Sequence, residues 1–362
     1  MKVSPPLKED IRLNIASDKI SVPIYLRHNI FPKIKAIVPF DSYSQVCVLM
    51  DENINTYWGE KIRKVLGKNI VYIIIPAGAH NKQLTTVEGI IMSMLEKGLD
   101  RKSLLINIGG GVVCDMGGYA ASIFMRGIPF INVPTTLLAQ TDAAIGGKTG
   151  VDFGGLKNMV GSFVHPLLVI SDTMFLSTLS ARELRSGFAE VIKHALVYDK
   201  KFFAILDQKK IDTIVASILF HSCKIKCAIV SKDVNEKGVR KILNFGHTIG
   251  HAIEMVSQKT ATPLLHGEAI SIGMIAEARL SFLSGLITKK DFECVENIML
   301  KNGLPSRVSR SYKKAIHAKM LGDKKNEKRK IKWVLLNGIG KAVYDKEGSE
   351  DLINKAIDYI VE

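Results

Sequence analysis

Three histidines and one glutamate are the clearest set of possible metal ligands in the sequence. His247 and His251 stand four residues apart in LNFGHTIGHAIE, so both side chains project from one face if this segment is a helix. His266 follows in LLHGEA, and Glu190 comes earlier, in GFAEVIKHA. One carboxylate and two imidazoles form a ligand set for a catalytic zinc ion and leave a coordination position open. We therefore expect a metal-dependent active site in this half of the chain.

A run of three glycines marks a possible nucleotide site. In LLINIGGGVVCDMGGYAAS, a strand-like segment leads through residues 109–111 into a helix-like segment. Glycines at this position let the N–H groups of a helix start approach a pyrophosphate. Asp115 lies one turn into the helix and Asp51 ends an earlier strand-like segment, so both are candidates to bind a ribose. The alternatives are a tight strand-to-helix turn for the glycines and a helix cap for Asp51.

Two further segments carry possible anion-binding side chains. The glycine-rich TDAAIGGKTGVDFGGLKN (141–158) offers Lys148, Lys157 and Asn158 as donors for phosphate oxygens. Its alternative is an ordinary surface loop. The basic segment GDKKNEKRKIK (322–332) is predicted to be mainly a solvent-exposed turn. Its early residues Asp323, Lys324 and Lys325 are candidates to reach the active site. Nucleic-acid binding would need aromatic residues between the basic ones, and aromatic residues are only 7% of the chain.

Strand-like and helix-like segments alternate in the first half of the chain. The strand-like segments are short, apolar and rich in valine and isoleucine, and residues 85–98 between them show helical spacing. This alternation predicts a parallel sheet with helices on both faces and a binding crevice at the carboxyl ends of the strands. The predicted strands are 44–50, 69–76, 103–111 and 128–136.

From Ser180 onward the pattern is mostly helical. Only residues 330–345 predict a strand pair, with glycines near its turn. We therefore expect two domains, an α/β domain over residues 1–178 and a helical domain over residues 179–362. The predicted helices are 181–207, 210–230, 247–257, 266–286 and 289–302.

The composition is that of a globular protein with a large positive charge. The 362 residues are 47% hydrophobic, which argues against disorder, and 50 Lys and Arg against 35 Asp and Glu give a net charge of +15. Such an excess indicates an acidic partner, which is a nucleic acid, a membrane surface or a small polyanionic substrate. An odd number of cysteines, five, argues against a disulfide framework. The charged start MKVSPPLKEDIRL and the charges within the most apolar stretch predict a cytoplasmic protein with no membrane span.

Taken together, these motifs resemble 3-dehydroquinate synthase, the family that catalyses the second step of the shikimate pathway. The likeness runs over residues 45–345 and includes MRGIPFINVPTTLLAQTDAAIGGKTG, SGFAEVIKHAL, RKILNFGHTIGHAIE and LHGEA in the family's order. It implies a Rossmann-like, NAD-binding α/β domain followed by a mostly α-helical, metal-binding domain, with the active site in the cleft between them. It also implies a homodimer, with NAD and Zn²⁺ (or Co²⁺) as cofactors.

The resemblance assigns site residues position by position. Glu190, His247 and His266 match the metal ligands, and Arg126 matches an arginine that reaches the substrate phosphate across a dimer interface. The positions that resemble the substrate site are Asp142, Lys148, Asn158, Lys193, Lys226, Arg240, Asn244, His251 and Lys324. The positions that resemble the cofactor site are Asp51, Asn53, Lys82, Gly109, Gly110, Gly111, Asp115, Thr135, Thr136, Lys148, Lys157, Phe175, Thr178 and Glu183.

Three features depart from the family's pattern. Ala79 stands where the family usually has glutamate, which removes one contact to the adenosine end of NAD. The sequence VDFGGLKN replaces the commoner Asn-His-Pro-Leu-Gly before the Lys-Asn pair. Spacing alone does not decide between Lys324 and Lys325 as the substrate lysine.

The implied reaction converts 3-deoxy-D-arabino-heptulosonate 7-phosphate to 3-dehydroquinate and phosphate. It proceeds by NAD-dependent oxidation, phosphate elimination, reduction and intramolecular aldol closure, so NAD is regenerated in each turnover. One alternative is another NAD- and zinc-dependent sugar-phosphate cyclase, although Lys226, Arg240 and Asn244 favour a substrate with a carboxylate. A second alternative is a metal-dependent polyol dehydrogenase, a class that usually carries aspartate where this chain has Glu190.

Overall fold

The computed structural model describes residues 11–17, 20–208, 215–321 and 331–362. These residues divide into two structural units. The N-terminal unit contains the described residues up to Leu179 together with Lys226–Ser231, and the C-terminal unit contains Ser180–Ile225 and the described residues of Lys232–Glu362. The candidate residues Asp323, Lys324 and Lys325 lie outside the described residues.

Strands and helices alternate along most of the N-terminal unit. The strands are β1 (Ile11–Ser17), β2 (Ile20–Arg27), β3 (Val46–Asp51), β4 (Val71–Ile75), β5 (Leu104–Gly109), β6 (Phe130–Pro134), β7 (Lys148–Phe153), β8 (Leu156–Phe163) and β9 (Val169–Asp172). The helices are α1 (Ile34–Ile37), α2 (Glu52–Leu66), α3 (Leu84–Glu96) and α4 (Gly111–Ile123).

The described residues of this unit form a seven-stranded sheet in the order β1-β2-β9-β6-β5-β3-β4. The β1–β2 pair is antiparallel, and all the other pairs in the sheet are parallel, which confirms the parallel sheet predicted from the sequence. Gly109 pairs with Pro134 and Asp51 pairs with Ile75, so the carboxyl ends of β3, β4, β5 and β6 lie along one edge of the sheet. The candidate cofactor residues at these strand ends therefore share that edge.

Alternate residues of β3 enter two separate apolar cores. Val48 and Met50 belong to a core that includes residues of α2, and Cys47 and Leu49 belong to a core that includes residues of α3 and α4. Side chains alternate between the two faces of a strand, so a strand that is covered on both faces needs a continuous apolar run. This requirement explains why the run at 44–50 predicted a buried strand.

The glycine-rich segment 141–158 differs from the surface loop considered as its alternative, because residues from Lys148 onward form the antiparallel hairpin β7–β8. The two strands approach closely at Gly150 and Gly161. A Cβ at Gly150 would lie 2.4 Å from the carbonyl oxygen of Val160, and a Cβ at Gly161 would lie 2.0 Å from that of Thr149. Glycine is therefore required at both positions by the contact between the two backbones.

The C-terminal unit is mostly helical, as predicted. Its helices are α5 (Ala181–Tyr198), α6 (Lys200–Gln208), α7 (Val215–Lys232, of which Lys226–Ser231 belongs to the N-terminal unit), α8 (His247–Ser257), α9 (His266–Leu283), α10 (Lys289–Lys301), α11 (Lys313–Leu321) and α12 (Glu350–Tyr359). A hairpin of β10 (Trp333–Leu336) and β11 (Ala342–Lys346) matches the predicted strand pair.

One predicted helix, 181–207, is two helices in the structure. The break falls at Asp199, whose carboxylate accepts hydrogen bonds from the backbone N–H groups of Lys201 and Phe202 at 2.9 and 3.0 Å. Asp199 therefore caps the start of α6. Aspartate favours helix starts because its side chain binds N–H groups that have no partner within the helix.

Helix α9 is buried over most of its length. Every residue from Gly267 to Leu280 is buried except Glu268 and Arg279, which are partly exposed. A helix that is surrounded by protein is mostly apolar, as this sequence is. None of the helices that the structure describes is long and apolar enough to cross a membrane.

Candidate functional site

Helix α5 positions Glu190 in the interior of the C-terminal unit. The helix begins with a capping box in which the Ser180 side chain accepts from the Glu183 N–H, and Glu183 accepts from the Ser180 N–H. Glu183, a candidate cofactor residue, therefore takes part in the hydrogen bonds that cap the start of α5. Glu190 is fully buried, and the buried Lys193, one turn further on, forms an ion pair with it.

Two imidazoles face the Glu190 carboxylate. The Nε2 atoms of His247 and His266 lie 3.6 Å and 3.5 Å from Oε1 of Glu190. His251 is adjacent, and one nitrogen atom from each of His247, His251 and His266 lies within 4.8 Å of the others. The structure therefore brings all four predicted metal-site residues together, on helices α5, α8 and α9.

The Nδ1 atoms of His247 and His266 already have hydrogen-bond partners within the protein. His247 Nδ1 donates to the carbonyl oxygen of Phe245 at 3.1 Å, and His266 Nδ1 lies 3.0 Å from a carboxylate oxygen of Glu254. A carbonyl oxygen accepts only, so Nδ1 of His247 carries a proton, and Nε2 is the ring nitrogen on the side of Glu190. This arrangement is the usual one for histidines that bind a metal, because the Nδ1 partner fixes both the tautomer and the ring orientation.

The charge on His266 depends on the two carboxylates around it. Burial lowers the pKa of His266, but the charge of Glu254 and the hydrogen bonds toward Glu190 and Glu254 outweigh burial and raise the pKa to about 9. The metal-free imidazole therefore carries a proton at neutral pH. A divalent ion has to displace this proton, because histidine binds metals in its neutral form. The carboxylate and imidazole donors thus fit a zinc or cobalt ion.

In the N-terminal unit, the glycine run connects β5 directly to α4. Gly110 is the N-cap residue of α4, and no side chain caps this helix start. A Cβ at Gly110 would lie 3.1 Å from the side chain of Thr136, and a Cβ at Gly111 would lie 3.1 Å from that of Ala143. The turn therefore offers bare backbone N–H groups at the start of a helix, the arrangement that binds a pyrophosphate.

A lysine joins two of the other candidate residues close to this turn. Lys82 Nζ donates to Asp115 Oδ2 and to Asn158 Oδ1, both at 2.5 Å. Burial raises the pKa of Asp115, and the charge of Lys82 opposes that rise. Asp152, which the sequence analysis did not single out, accepts from the Asn158 N–H at 2.8 Å and pairs with Lys157 at 3.2 Å. The structure thus brings Lys82, Asp115, Lys157 and Asn158 into one polar network.

Three other candidate cofactor residues, Asp51, Phe175 and Thr178, contact other groups of the protein. Asp51 is the N-cap of α2 and accepts from the Ile54 N–H at 2.8 Å, as the helix-cap alternative predicted. Asn53 is exposed and Thr135 is buried. Phe175 is buried and makes an edge-on contact with Trp58, and Thr178 accepts a hydrogen bond from the Trp58 indole at 2.8 Å.

The charged candidates of the substrate site in the N-terminal unit differ in their surroundings. Lys226 Nζ lies 2.7 Å from Asp142 Oδ1, and Lys148 is exposed at the start of β7. Arg126 is exposed three residues after the end of α4 and has a φ of 72°, a left-handed conformation. It is thus held in a conformation that is uncommon for residues other than glycine.

Arg240 and Asn244 lie on one short turn in the C-terminal unit. Arg240 is buried and donates to the carbonyl oxygen of Val234, and Asn244 donates to a carboxylate oxygen of Glu236. Asp233 organises the turn. Burial raises the pKa of its carboxyl group, but hydrogen bonds from backbone N–H groups, those of Arg240 and Gly238 first, bring the pKa below its usual value.

Two family models, one for each domain of the same enzyme, match the sequence. The model of the 3-dehydroquinate synthase N-terminal domain matches residues 72–186, and that of the C-terminal domain matches residues 187–326. A 3-dehydroquinate synthase from Alkaliphilus metalliredigens (strain QYMF) is 42% identical over 337 residues, which cover 91% of this chain and 93% of that protein. The chain belongs to the 3-dehydroquinate synthase family. The family predicted from the sequence motifs is thus confirmed.

Solved structures of related cyclases share the fold of this 3-dehydroquinate synthase family member. A 2-deoxy-scyllo-inosose synthase, complexed with carbaglucose-6-phosphate, NAD+ and Co2+, has a TM-score of 0.87 at 24% identity and covers 97% of this chain and 100% of its own. A 2-epi-5-epi-valiolone synthase from Streptomyces hygroscopicus subsp. jinggangensis, with NAD+ and Zn2+ bound, has a TM-score of 0.84 at 28% identity and covers 95% of this chain and 98% of its own. The predicted fold class is confirmed.

The sequence analysis of this 3-dehydroquinate synthase family member also missed Glu254 and Glu236, which are hydrogen-bonded to candidate residues. Glu254 stands seven residues after His247 and three after His251, so the helical spacing that relates the two histidines also places Glu254 on their face. This signal was available in the sequence. Glu236, the partner of Asn244, has no comparable signal, because it precedes the turn and has a positive φ of 56°.

Proposed function

We propose that this chain converts 3-deoxy-D-arabino-heptulosonate 7-phosphate to 3-dehydroquinate and phosphate. The observation that carries the proposal is the single Glu190 carboxylate oxygen that faces Nε2 of both His247 and His266. The proposal is supported by relatives that are named for this activity and cover nearly the whole chain, such as the one that matches 91% of it.

The proposal assigns each cofactor to residues of this chain. Glu190, His247 and His266 would hold a zinc or cobalt ion, and the backbone of residues 109–111 would bind the pyrophosphate of NAD. When bound, the metal ion lowers the pKa of a substrate hydroxyl, and NAD accepts a hydride and later returns it. The neighbour with NAD+ and Zn2+ bound supports this assignment.

The side chains of the protein would manage protons and substrate charges. The ring of His251 has its centroid 5.1 Å from that of His247 and 5.8 Å from that of His266, which suits it to relay the proton of the reacting hydroxyl. Lys226 and Arg240 would bind the substrate carboxylate, with Asp142 orienting the Lys226 ammonium group. Donors for the phosphate would be Lys148, Asn158 and Lys324.

The proposal also covers domain roles and location. We assign NAD binding to residues 1–178 and metal and substrate binding to residues 179–362. The described residues include all five cysteines, and none of the five forms a disulfide. Reduced cysteines suit a reducing compartment, so we place the protein in the cytoplasm.

Phosphate release is the measurement that tests the function. With the heptulosonate phosphate, zinc and a catalytic amount of NAD, we expect one phosphate and one dehydroquinate per substrate, with no net NADH. A polyol dehydrogenase would instead convert the supplied NAD to NADH and then stop, because no later step returns the hydride, and it would release no phosphate. Another sugar-phosphate cyclase would release phosphate from a ketose phosphate that lacks the carboxylate and leave the heptulosonate phosphate unchanged. Either of these results would overturn the proposal.

We propose a homodimer in which Arg126 binds the substrate phosphate of the partner subunit. A charge-assisted contact of this kind contributes about 1.5–3 kcal/mol, so Arg126→Ala should reduce kcat/KM by about tenfold to a hundredfold. The alternative role, an exposed arginine near the end of α4, contributes at most about 1 kcal/mol to stability and nothing to activity. Steady-state kinetics of phosphate release distinguish the two roles.

Mixed dimers test whether Arg126 acts across the interface. Arg126→Ala chains and His247→Ala chains are each expected to be impaired alone. If the arginine acts on the partner's site, a dimer of one chain of each kind contains one site with both residues intact, so activity should reappear after mixing. Subunit exchange is verified with two affinity tags. Confirmed exchange without recovery would contradict the shared site.

A further inference from the structure

The helix that carries His247 and His251 has no side-chain cap of its own. Helix α8 begins at His247, and its N-cap residue, Gly246, has a left-handed φ of 80° and no side chain to accept hydrogen bonds. The first N–H groups of a helix have no partner within the helix and need acceptors from elsewhere. A capping side chain at position 246 is excluded, because a Cβ there would lie 2.4 Å from the Met274 side chain and 2.9 Å from the Met274 backbone nitrogen.

A carboxylate from α9 takes the place of this cap. Oε2 of Glu277 accepts from the Gly246 N–H at 2.7 Å, and Oε1 accepts from the N–H groups of Thr248 and Ile249 at 3.1 and 3.3 Å. Glu277 is fully buried. A buried carboxylate is costly unless it is hydrogen-bonded, and the positive end of the α8 dipole also favours it there.

The backbones of α8 and α9 touch beside this carboxylate. A Cβ at Gly273 of α9 would lie 2.0 Å from the carbonyl oxygen of Gly246 and 2.6 Å from the backbone nitrogen of Gly250. Close-packed helices of this kind have little freedom to shift, because each displacement brings backbone atoms into contact. The glycines thus set the distance between the helices, and Glu277 holds the start of α8 at a fixed point along α9.

We propose that Glu277 is a positioning residue for the metal site. His247 is the first residue of α8 and His266 the first residue of α9, so the distance between their imidazoles depends on how the start of α8 is anchored to α9. Glu277 anchors it through the residues on both sides of His247, Gly246 and Thr248. Without this anchor the first turn of α8 frays, and Nε2 of His247 loses its fixed position relative to Glu190. This role rests on the metal site of the proposed function.

The test compares metal affinity in Glu277→Gln, Glu277→Ala and a matched control, Ser281→Ala. Glutamine keeps the volume and one acceptor oxygen of Glu277, and alanine keeps neither. Ser281 is a buried residue one turn further along α9, and its hydroxyl donates to the Glu277 carbonyl oxygen and accepts from the Leu336 N–H at 3.0 Å. The control therefore removes buried hydrogen bonds from the same helix while leaving the Glu277 carboxylate in place.

Zinc affinity of the full-length chain is measured by competition with a chromophoric chelator, and the geometry of the site by the visible absorption of bound Co²⁺. Loss of a supporting partner of a metal ligand typically lowers metal affinity by about tenfold to a hundredfold. We expect a loss in this range for Glu277→Ala, a smaller loss for Glu277→Gln, and an altered Co²⁺ spectrum in both. Ser281→Ala should lower the unfolding temperature of the metal-free protein but keep the parent's zinc affinity and Co²⁺ spectrum.

Two outcomes would overturn the role, and they are distinguishable. If the parent binds zinc at a site that His247→Ala removes, and Glu277→Gln binds zinc as tightly as the parent, Glu277 has only a structural role and the proposed metal site stands. If the parent binds no zinc, the proposed metal site fails and the role of Glu277 fails with it. Glu277→Asp keeps the charge and serves as the test variant if the other two do not fold.

Discussion

Replacing His247 with alanine is expected to abolish stoichiometric zinc binding and phosphate release together. The substitution removes the imidazole whose Nε2 lies 3.6 Å from Glu190, and it leaves one imidazole and one carboxylate at the proposed ligand positions. A catalytic metal ion supplies several kcal/mol of transition-state stabilisation, so activity should fall by about a thousandfold or more. Metal content is measured by elemental analysis after dialysis, and activity by the release of inorganic phosphate.

The matched control for this experiment is His221→Ala. His221 is an exposed histidine of α7 whose ring stacks on Phe202, with ring centroids 5.2 Å apart. The same substitution at this position should leave both zinc content and activity close to those of the parent. A His247→Ala protein that retains one zinc per chain would show that the ion is held by other residues.

Replacing Gly110 with valine is expected to weaken NAD binding by about fivefold to a hundredfold. A Cβ at this position already lies 3.1 Å from the Thr136 side chain, and the two methyl groups of valine extend further into the space above the start of α4. Excess volume at a close-packed position costs about 1–3 kcal/mol, which corresponds to roughly a fivefold to a hundredfold loss of affinity. Titration calorimetry with NAD measures the change directly.

Gly89→Val is the matched control for the cofactor experiment. Gly89 lies on the exposed face of α3 in the same unit. Apart from its two chain neighbours and the nearby backbone of α3 itself, no atom lies within 4 Å of a Cβ placed there. This variant should bind NAD as the parent does. If Gly110→Val also bound NAD with the parent's affinity while remaining folded, the pyrophosphate would have to lie away from the glycine turn.

Much of the fold follows from local sequence patterns, but some strands do not. The strands β3, β4, β5 and β6 are apolar runs that lie between helices, and all four were predicted within a few residues of their observed bounds. The hairpin β7–β8 was not predicted. Strand β8 is largely exposed or only partly buried, and glycines mark both strands where the backbones meet. Such strands are formed by pairing with each other, so their own residues carry little periodic signal.

The candidate site shows a similar division between local and long-range information. The helical spacing of His247 and His251 correctly predicted a shared face, and the same spacing extends to Glu254. The capping box of Ser180 and Glu183 is also a local motif, readable from the two residue types three positions apart. The structure shows this capping role of Glu183. The cofactor contact that the resemblance to the family implies for Glu183 stays a prediction.

The sequence by itself determined the family, the order of strands and helices around the glycine turn, and the residue types of the candidate metal site. These features depend on short motifs and on apolar residues that recur every two residues in strands and every 3.6 residues in helices. Both signals are contained in short stretches of sequence. Only the tertiary structure decided which nitrogen atoms face Glu190, which lysine joins Asp115 to Asn158, and which carboxylate caps α8. Glu277 and Gly246 are 31 residues apart, and Lys82 and Asn158 are 76 apart. Contacts over such distances arise when helices and strands pack, and no local periodicity encodes them.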